Sequence, residues 1–360
     1  VNQSGVVFVR ADASESIGIG HIRRCAILAA ELSKHGYGVV LVTRTRPEAK
    51  GVALGWPYQV VQLDGRCHPH TNEELSDAEK TQAVIQHHGA GRSWVIVDGE
   101  RFGYDWERFL RQSGHMILAF DDSRSRRHCA DIIVSDSEKP FDGALLPGSE
   151  PTQRLSGRQY ALIDERFKPV EDTVTRARRE KKTILITYGG SDPTGETLKA
   201  MQAVAWFQRV STRSHRIGQI DIVVGPLNCD AVAITAEARG VSSAKIHCAP
   251  ACLAPLMQSA DIVLTAGGNS MVEALVMGKL CLVTVTAANQ QQTVSELACD
   301  AAVRLLGHHS QVTSEDIVNE IADAIDHFDT LSRLMAQRQL YDHHGARRIA
   351  EAMALSLVGA

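Results

Sequence analysis

The stretch Ala266-Gly-Gly-Asn-Ser-Met-Val-Glu-Ala-Leu275 decides the reading of this chain. The apolar run before it, Asp261 to Thr265, reads as a short buried strand, and the helical pattern after it ends at Gly278. Gly267, Gly268, Asn269 and Ser270 therefore stand where a strand turns into a helix. Backbone N–H groups at a helix start have no partner inside the helix, and the helix dipole adds positive character. Glycines let a phosphate approach the backbone closely, so the turn can cradle a diphosphate. Glu273, about one turn into the helix, is placed to reach a ribose diol. A plainer reading fits the same residues, because Ser270-Met-Val-Glu273 also has the spacing of a capping box.

Similar units recur on both sides of this turn. Val6 to Arg10 reads as a strand, Ala11 to Gly20 as a small-residue loop containing Gly18-Ile-Gly20, and His21 to His35 as a helix stopped by Gly36. Val39 to Thr43 is the next strand, which completes a βαβ unit of a doubly wound sheet. The glycine spacing is not that of the dinucleotide fingerprint. Further helices are expected over Pro47 to Leu54 and Asn72 to His88. Trp94 to Val97 and Met116 to Phe120 are buried strands, ending in Asp98-Gly99-Glu100 and Asp121-Asp122-Ser123. Arg124, Arg126 and Arg127 stand close enough in sequence to pair with those acids. Asp131 to Val134 is expected to close the first sheet. The segment Ser137 to Arg158 is rich in Pro, Gly and Ser and is read as the interdomain segment, with Tyr160-Ala-Leu-Ile163 opening the second unit.

That unit repeats the pattern. Thr183 to Thr187 is a strand followed by Tyr188-Gly-Gly-Ser-Asp-Pro-Thr-Gly195 and a helix from about Glu196. Ser191, Asp192 and Thr194 are good caps there, and the backbone of Gly189, Gly190 and Ser191 can meet a ligand phosphate. After the strand Leu280 to Val285 comes an amide-rich turn, Asn289-Gln-Gln-Gln292. Helices are expected over Ser314 to Phe328 and Leu331 to Leu357. The fold class read from this order is α/β: two doubly wound Rossmann-like domains facing a cleft, divided as 1–150 and 151–360.

The candidate base is His21. It stands at the N-terminus of the first helix, at the crevice edge where α/β folds bind ligands. The helix dipole disfavours a charged imidazole there, so the ring tends to be neutral and able to accept a proton. Asp12 and Asp98 are its possible orienting partners. Asp64, His68 and His70 occupy a polar segment better read as a loop than as a metal site.

Composition limits the function classes. A length of 360 residues favours two domains. Hydrophobic content of 44% with 22% charged residues is that of a soluble globular protein. A net charge of −4 argues against an electrostatic nucleic-acid binder. No apolar run approaches the roughly 18 residues of a membrane span, and Val1 to Val9 is too short and polar for a signal peptide. The eight cysteines form no CxxC pair, and their scatter fits a reduced, cytoplasmic setting.

Taken jointly, Arg10-Ala-Asp12, Gly18-Ile-Gly-His21, Val97-Asp98, Phe120-Asp-Asp122, Gly189-Gly-Ser-Asp192, Gly267-Gly-Asn-Ser-Met-Val-Glu273 and Asn289-Gln290 resemble a known family. It is the UDP-2,4-diacetamido-2,4,6-trideoxy-β-L-altropyranose hydrolases of pseudaminic acid biosynthesis. They group with the spore-coat polysaccharide proteins among MurG-like, GT-B-shaped enzymes. The resemblance covers about residues 6 to 305 of this sequence.

The resemblance implies a metal-free, cofactor-independent hydrolysis of a UDP-sugar, in which water attacks the anomeric carbon with inversion. It implies His21 as general base and Asn289 as an amide near the reacting centre. Gly189, Gly190, Ser191, Gly267, Gly268, Asn269, Ser270, Glu273 and Gln290 become the nucleotide site, and Gly20 and Asp122 sugar contacts. Asp12, Asp98, Glu100 and Tyr104 are candidates for catalytic support. The family's tyrosine, two residues after the aspartate that ends the fourth strand, is Glu100 here, with Tyr104 four residues beyond it. A glycosyltransferase using a UDP-sugar donor and a non-catalytic nucleotide-sugar binder are the alternative readings.

Overall fold

The structure is a computed structural model that describes residues 5–14, 17–45, 56–64, 74–121, 127–137, 153–168, 180–241, 243–336 and 340–358. The expected helix over Pro47 to Leu54, residues His68 and His70, and Asp122, Arg124 and Arg126 lie outside these.

The chain divides into two units, residues 1–163 with 342–360, and residues 164–341. The first carries a wholly parallel sheet in the order β3-β2-β1-β4-β5-β6-β7. Its strands are β1 (Val6–Ala11), β2 (Gly38–Thr43), β3 (Gln59–Gln62), β4 (Trp94–Asp98), β5 (Met116–Phe120), β6 (Ile132–Ser135) and β7 (Gln153–Ser156). Helices α1 (Gly20–Lys34), α2 (Glu74–His87) and α3 (Tyr104–Gln112) complete its crossovers. β1, β4 and β5 are nearly continuous Val, Ile, Leu and Phe, as strands buried on both faces must be.

The second unit has a parallel six-stranded sheet, order β10-β9-β8-β11-β12-β13. These are β8 (Lys182–Thr187), β9 (Ile217–Val224), β10 (Ala244–Cys248), β11 (Ile262–Ala266), β12 (Leu280–Val285) and β13 (Arg304–His308). Its helices are α4 (Glu196–Val210), α5 (Ala231–Ala238), α6 (Ala254–Ser259), α7 (Asn269–Val276), α8 (Gln291–Cys299), α9 (Ser314–Asp326) and α10 (Phe328–Ala336). Strand order reverses between β1 and β4 in one sheet and between β8 and β11 in the other. Doubly wound sheets bind ligands outside the strand C-termini at such switch points.

Two boundaries differ from the sequence reading. The units part at Ile163/Asp164, so Tyr160 to Ile163 belong to the first. The long helix expected over Leu331 to Leu357 is two, α10 and α11 (Gly345–Val358), and α11 returns to the first unit, where it packs on α1. Gly345 permits the docking, because a Cβ there would collide with the carbonyl of Ala161. Arg348 then ties the helix down, with one bond to Gln159 O at 2.8 Å and a fork onto Asp342. β6 does not close the first sheet, since β7 pairs beyond it.

Candidate functional site

At the first switch point Ala11 and Asp98 are register partners, so the ends of β1 and β4 lie side by side. The loop after β1 folds back through paired bonds between Ser14 and Gly18, with Gly18 at φ +73°. It delivers exposed Gly20 as the first residue of α1, and His21 next to it.

His21 Nδ1 is 2.8 Å from Asp98 Oδ1, the His21 side chain 18% exposed and Asp98 fully buried. Burial alone would raise the Asp98 pKa. The Arg24 charge, then His21 and the hydrogen bonds from both, hold it well below the usual carboxylate range. Asp98 is therefore an ionised acceptor, and it fixes the imidazole proton on Nδ1. Nε2 is then the lone-pair nitrogen, the tautomer a general base requires. Of the two expected orienting partners, Asp98 is the one in contact.

Asp12 serves elsewhere. It accepts from Arg10 Nη1 (2.7 Å), Arg101 Nη2 (2.7 Å), Thr43 Oγ1 (3.0 Å) and Arg44 N (2.6 Å). Burial opposes its charge, and Arg10 and Arg101 outweigh that opposition. Asp77 joins the same buried network through Arg10, Arg101 and Trp106. Asp12 is thus a structural hub that locks the loops after β1, β2 and β4.

Glu100 is exposed in the turn after β4. Tyr104 opens α3, its ring 3.9 Å from the Arg127 guanidinium and 5.7 Å from that of Arg108. Arg127 therefore stacks on an aromatic ring. Asp121 meets His128 Nε2 at 2.9 Å, and His128 Nδ1 meets Glu107 Oε1 at 2.7 Å. Burial disfavours the imidazolium, but the bonds to Asp121 and Glu107 prevail and push its pKa up to about 9. The sequence reading missed this triad, as it missed Arg24. A histidine in a polar loop carries no periodic signal; Arg24, one turn after His21, carries one.

In the second unit the turns after β8 and β11 differ. Asp192, at φ +46°, places its carboxylate on the backbone N–H groups of Glu196 (2.9 Å) and Thr197 (2.7 Å). The start of α4 is therefore filled by the chain's own anion. Gly190 O accepts from Leu227 N at 2.8 Å, and a Cβ on Gly225 would collide with the carbonyls of Gly189 and Gly190. Gly189 is exposed and Ser191 is buried in this locked turn.

No side chain caps α7 from its N-cap residue, Gly268. The capping box expected at Ser270 and Glu273 does not form, because the helix begins at Asn269 and Ser270 already lies within its first turn. Glu273 is half-buried, and its charge reaches Arg166, which forks onto Asp164 at 2.9 and 2.6 Å.

The amide oxygen of Gln290 accepts from Gly267 N (3.2 Å), Thr286 N (3.0 Å) and Thr286 Oγ1 (3.1 Å). Gln290 therefore clamps the turn, and only its NH₂ is chemically suited to a ligand oxygen. A Cβ on Gly267 would strike Val294, so this turn has no room for a side chain. Asn289 holds its Oδ1 buried with no hydrogen-bond partner. A native structure rarely leaves such an atom unsatisfied without a ligand or water to meet it. Thr187 Oγ1, Thr194 Oγ1 and Asn228 Nδ2 share this condition on the same rim. Among the described residues no group of His, Cys, Asp and Glu has the arrangement of a metal site, and no helix is long and apolar enough to cross a membrane.

Solved structures with this architecture include MurG of Acinetobacter baumannii, with a TM-score of 0.65, 15% identity, and coverage of 97% of this chain and 98% of that one. The fold is GT-B-like. Staphylococcus aureus MnaA, solved with UDP, superposes with a TM-score of 0.66 at 12% identity, covering 98% of this chain and 96% of that one. Anabaena HepE in complex with UDP-glucose gives 0.60 at 13%, covering 99% and 100%. At such identities the likeness concerns the fold alone.

No family model matches the chain. Among curated proteins it is 27% identical, over 191 residues, to the UDP-2,4-diacetamido-2,4,6-trideoxy-β-L-altropyranose hydrolase of Campylobacter jejuni, covering 52% of this chain and 61% of that protein. It is 24% identical to the Bacillus subtilis spore coat polysaccharide biosynthesis protein SpsG (55% and 57% covered). An uncharacterised Methanocaldococcus jannaschii protein matches at 24% over 74% of this chain and 53% of its own length. The matched segments span less than two thirds of each relative. These similarities support the superfamily and do not single out a member.

Proposed function

We propose that the protein is a nucleotide-sugar hydrolase that releases UDP and a free amino-deoxy sugar in nonulosonic acid or related surface-glycan biosynthesis. The observation that carries this reading is the 2.8 Å bond between His21 Nδ1 and buried, ionised Asp98. In the proposed step His21 Nε2 takes a proton from water as the water oxygen bonds to the anomeric carbon. The bond from that carbon to the phosphate oxygen breaks, and UDP leaves with the electron pair and inversion. The α7 N-terminus and the Gly267–Gly268 backbone carry the diphosphate, whose charge grows as the bond breaks. Glu273 binds the ribose, and Asn289 supplies an amide near the reacting centre. Gly20 and Asp122 are assigned to the sugar.

The names of the C. jejuni and B. subtilis relatives support this reading. The second reading is glycosyl transfer, in which an acceptor hydroxyl replaces the water; glycosyltransferases of known structure share this fold. Incubation with UDP-diacetamido-trideoxyhexoses in ¹⁸O-water separates the two. The hydrolase reading predicts UDP release without acceptor, with label on the anomeric oxygen of the sugar. Release that appears only when an acceptor is added contradicts it.

A further inference from the structure

Three side chains near the start of α1 converge on one carboxylate. His21 Nδ1 and Arg24 Nη2 both meet Asp98 Oδ1, at 2.8 and 2.6 Å. Arg24 Nε is 2.5 Å from Oδ2, and the Cys25 thiol lies 3.7 Å from the same oxygen. Arg24, 14% exposed, also places its guanidinium 4.7 Å from the centroid of the Phe120 ring. The guanidinium plane is thus held at the ends of two adjacent strands, by the β4 carboxylate and the β5 ring.

The torsion that orients an aspartate carboxylate is soft and roughly two-fold. A single bond from an imidazole does not fix it. A two-point fork from arginine does, because both N–H vectors lie in one rigid plane. We propose that Arg24 is a positioning residue for His21: its fork on Asp98 sets Oδ1 opposite Nδ1 and thereby keeps the lone pair on Nε2. The inference rests on His21 being the base of the proposed reaction. Lysine is not an equivalent, since its ammonium is a point charge with no fork.

¹⁵N-histidine NMR of the ligand-free protein, with steady-state kinetics beside it, tests this. Wild type is expected to show a single Nδ1–H tautomer at His21 once the ring is neutral. Arg24→Met and Arg24→Lys are expected to show a mixture of tautomers, while the His128 resonances stay unchanged as a reporter of the fold. Their kcat should fall about 10- to 100-fold with KM within about twofold, the range seen when residues behind a functional group are removed. Should Arg24→Met fail to fold, Arg24→Lys carries the same expectation. A pure Nδ1–H signal at His21 in the folded variants overturns the proposal even if hydrolysis is established. Mixed tautomers in the variants, with no UDP release by wild type, uphold the positioning role and remove the hydrolase reading.

Discussion

The C-terminal rims of the two sheets are built from opposite materials. In the first unit β1, β4 and β5 are each followed by or end in a buried carboxylate with a cation on it: Asp12 with Arg10, Asp98 with Arg24, Asp121 with His128. In the second, β8, β9, β11 and β12 run into Tyr188-Gly189, Gly225-Pro226, Gly267-Gly268 and Thr286. The buried polar atoms without partners there are mostly neutral ones, on Thr187, Thr194, Asn228 and Asn289, with Glu196 Oε2 the charged exception. On the proposed reading the difference follows from the duty of each rim. Proton transfer needs charges fixed before substrate arrives. A diphosphate brings its own negative charge, so its rim must offer N–H groups and keep carboxylates off them.

The second unit contains the control for this argument. Asp192 occupies the N–H groups of α4 as a ligand anion would, whereas α7 starts from Gly268, an N-cap residue that makes no side-chain cap bond. The same strand, glycine and helix grammar thus yields one turn sealed by its own carboxylate and, on the proposed reading, one left to a ligand.

The largest expected effect lies on the first rim. Asp98→Asn removes the charge that selects the His21 tautomer, and kcat should fall about 10³-fold, the scale of losing a positioned base. A loss below tenfold in UDP-release assays would erase the proposed division. Next comes pH. The folded His128 pKa is about 9 against an ordinary 6.5, so its stabilisation is complete below about pH 6.5 and is lost as pH rises through 9. The loss should be about 3 kcal/mol. Urea unfolding at both pH values should show that slope in wild type and not in His128→Gln.

On the second rim, Gly267→Ala forces a methyl into Val294 and should cost about 1–3 kcal/mol of stability. It should also weaken UDP binding, since the turn must move. Asn289→Ala should be the mildest, about a tenfold loss in kcat with folding unaffected, one hydrogen bond being worth about 1 kcal/mol. Thermal melts and kinetics on the same preparations check both.

Much of the fold was legible because β1, β4, β5, β8, β11 and β12 are apolar runs punctuated by glycine. The edge strands β3 and β7 were not, because they are largely exposed and lack an apolar run. His21 was legible from its place after a glycine turn. Its partner was not resolved between Asp12 and Asp98, since both end strands at the same rim and only packing reveals that arginines already hold Asp12. The return of α11 to the first unit leaves no local signal beyond Gly345, whose reason is the carbonyl of Ala161.

The most direct test of separate duties for the two rims measures UDP affinity by calorimetry and UDP release by coupled assay in His21→Ala and Glu273→Gln. The account predicts that His21→Ala binds UDP within about twofold of wild type and releases none from substrate at a measurable rate. Glu273→Gln should bind UDP about tenfold more weakly, the scale of one charge-assisted hydrogen bond, and retain turnover at saturation. If binding and release fall together in His21→Ala, or if Glu273→Gln binds UDP as wild type does, the division of labour is wrong.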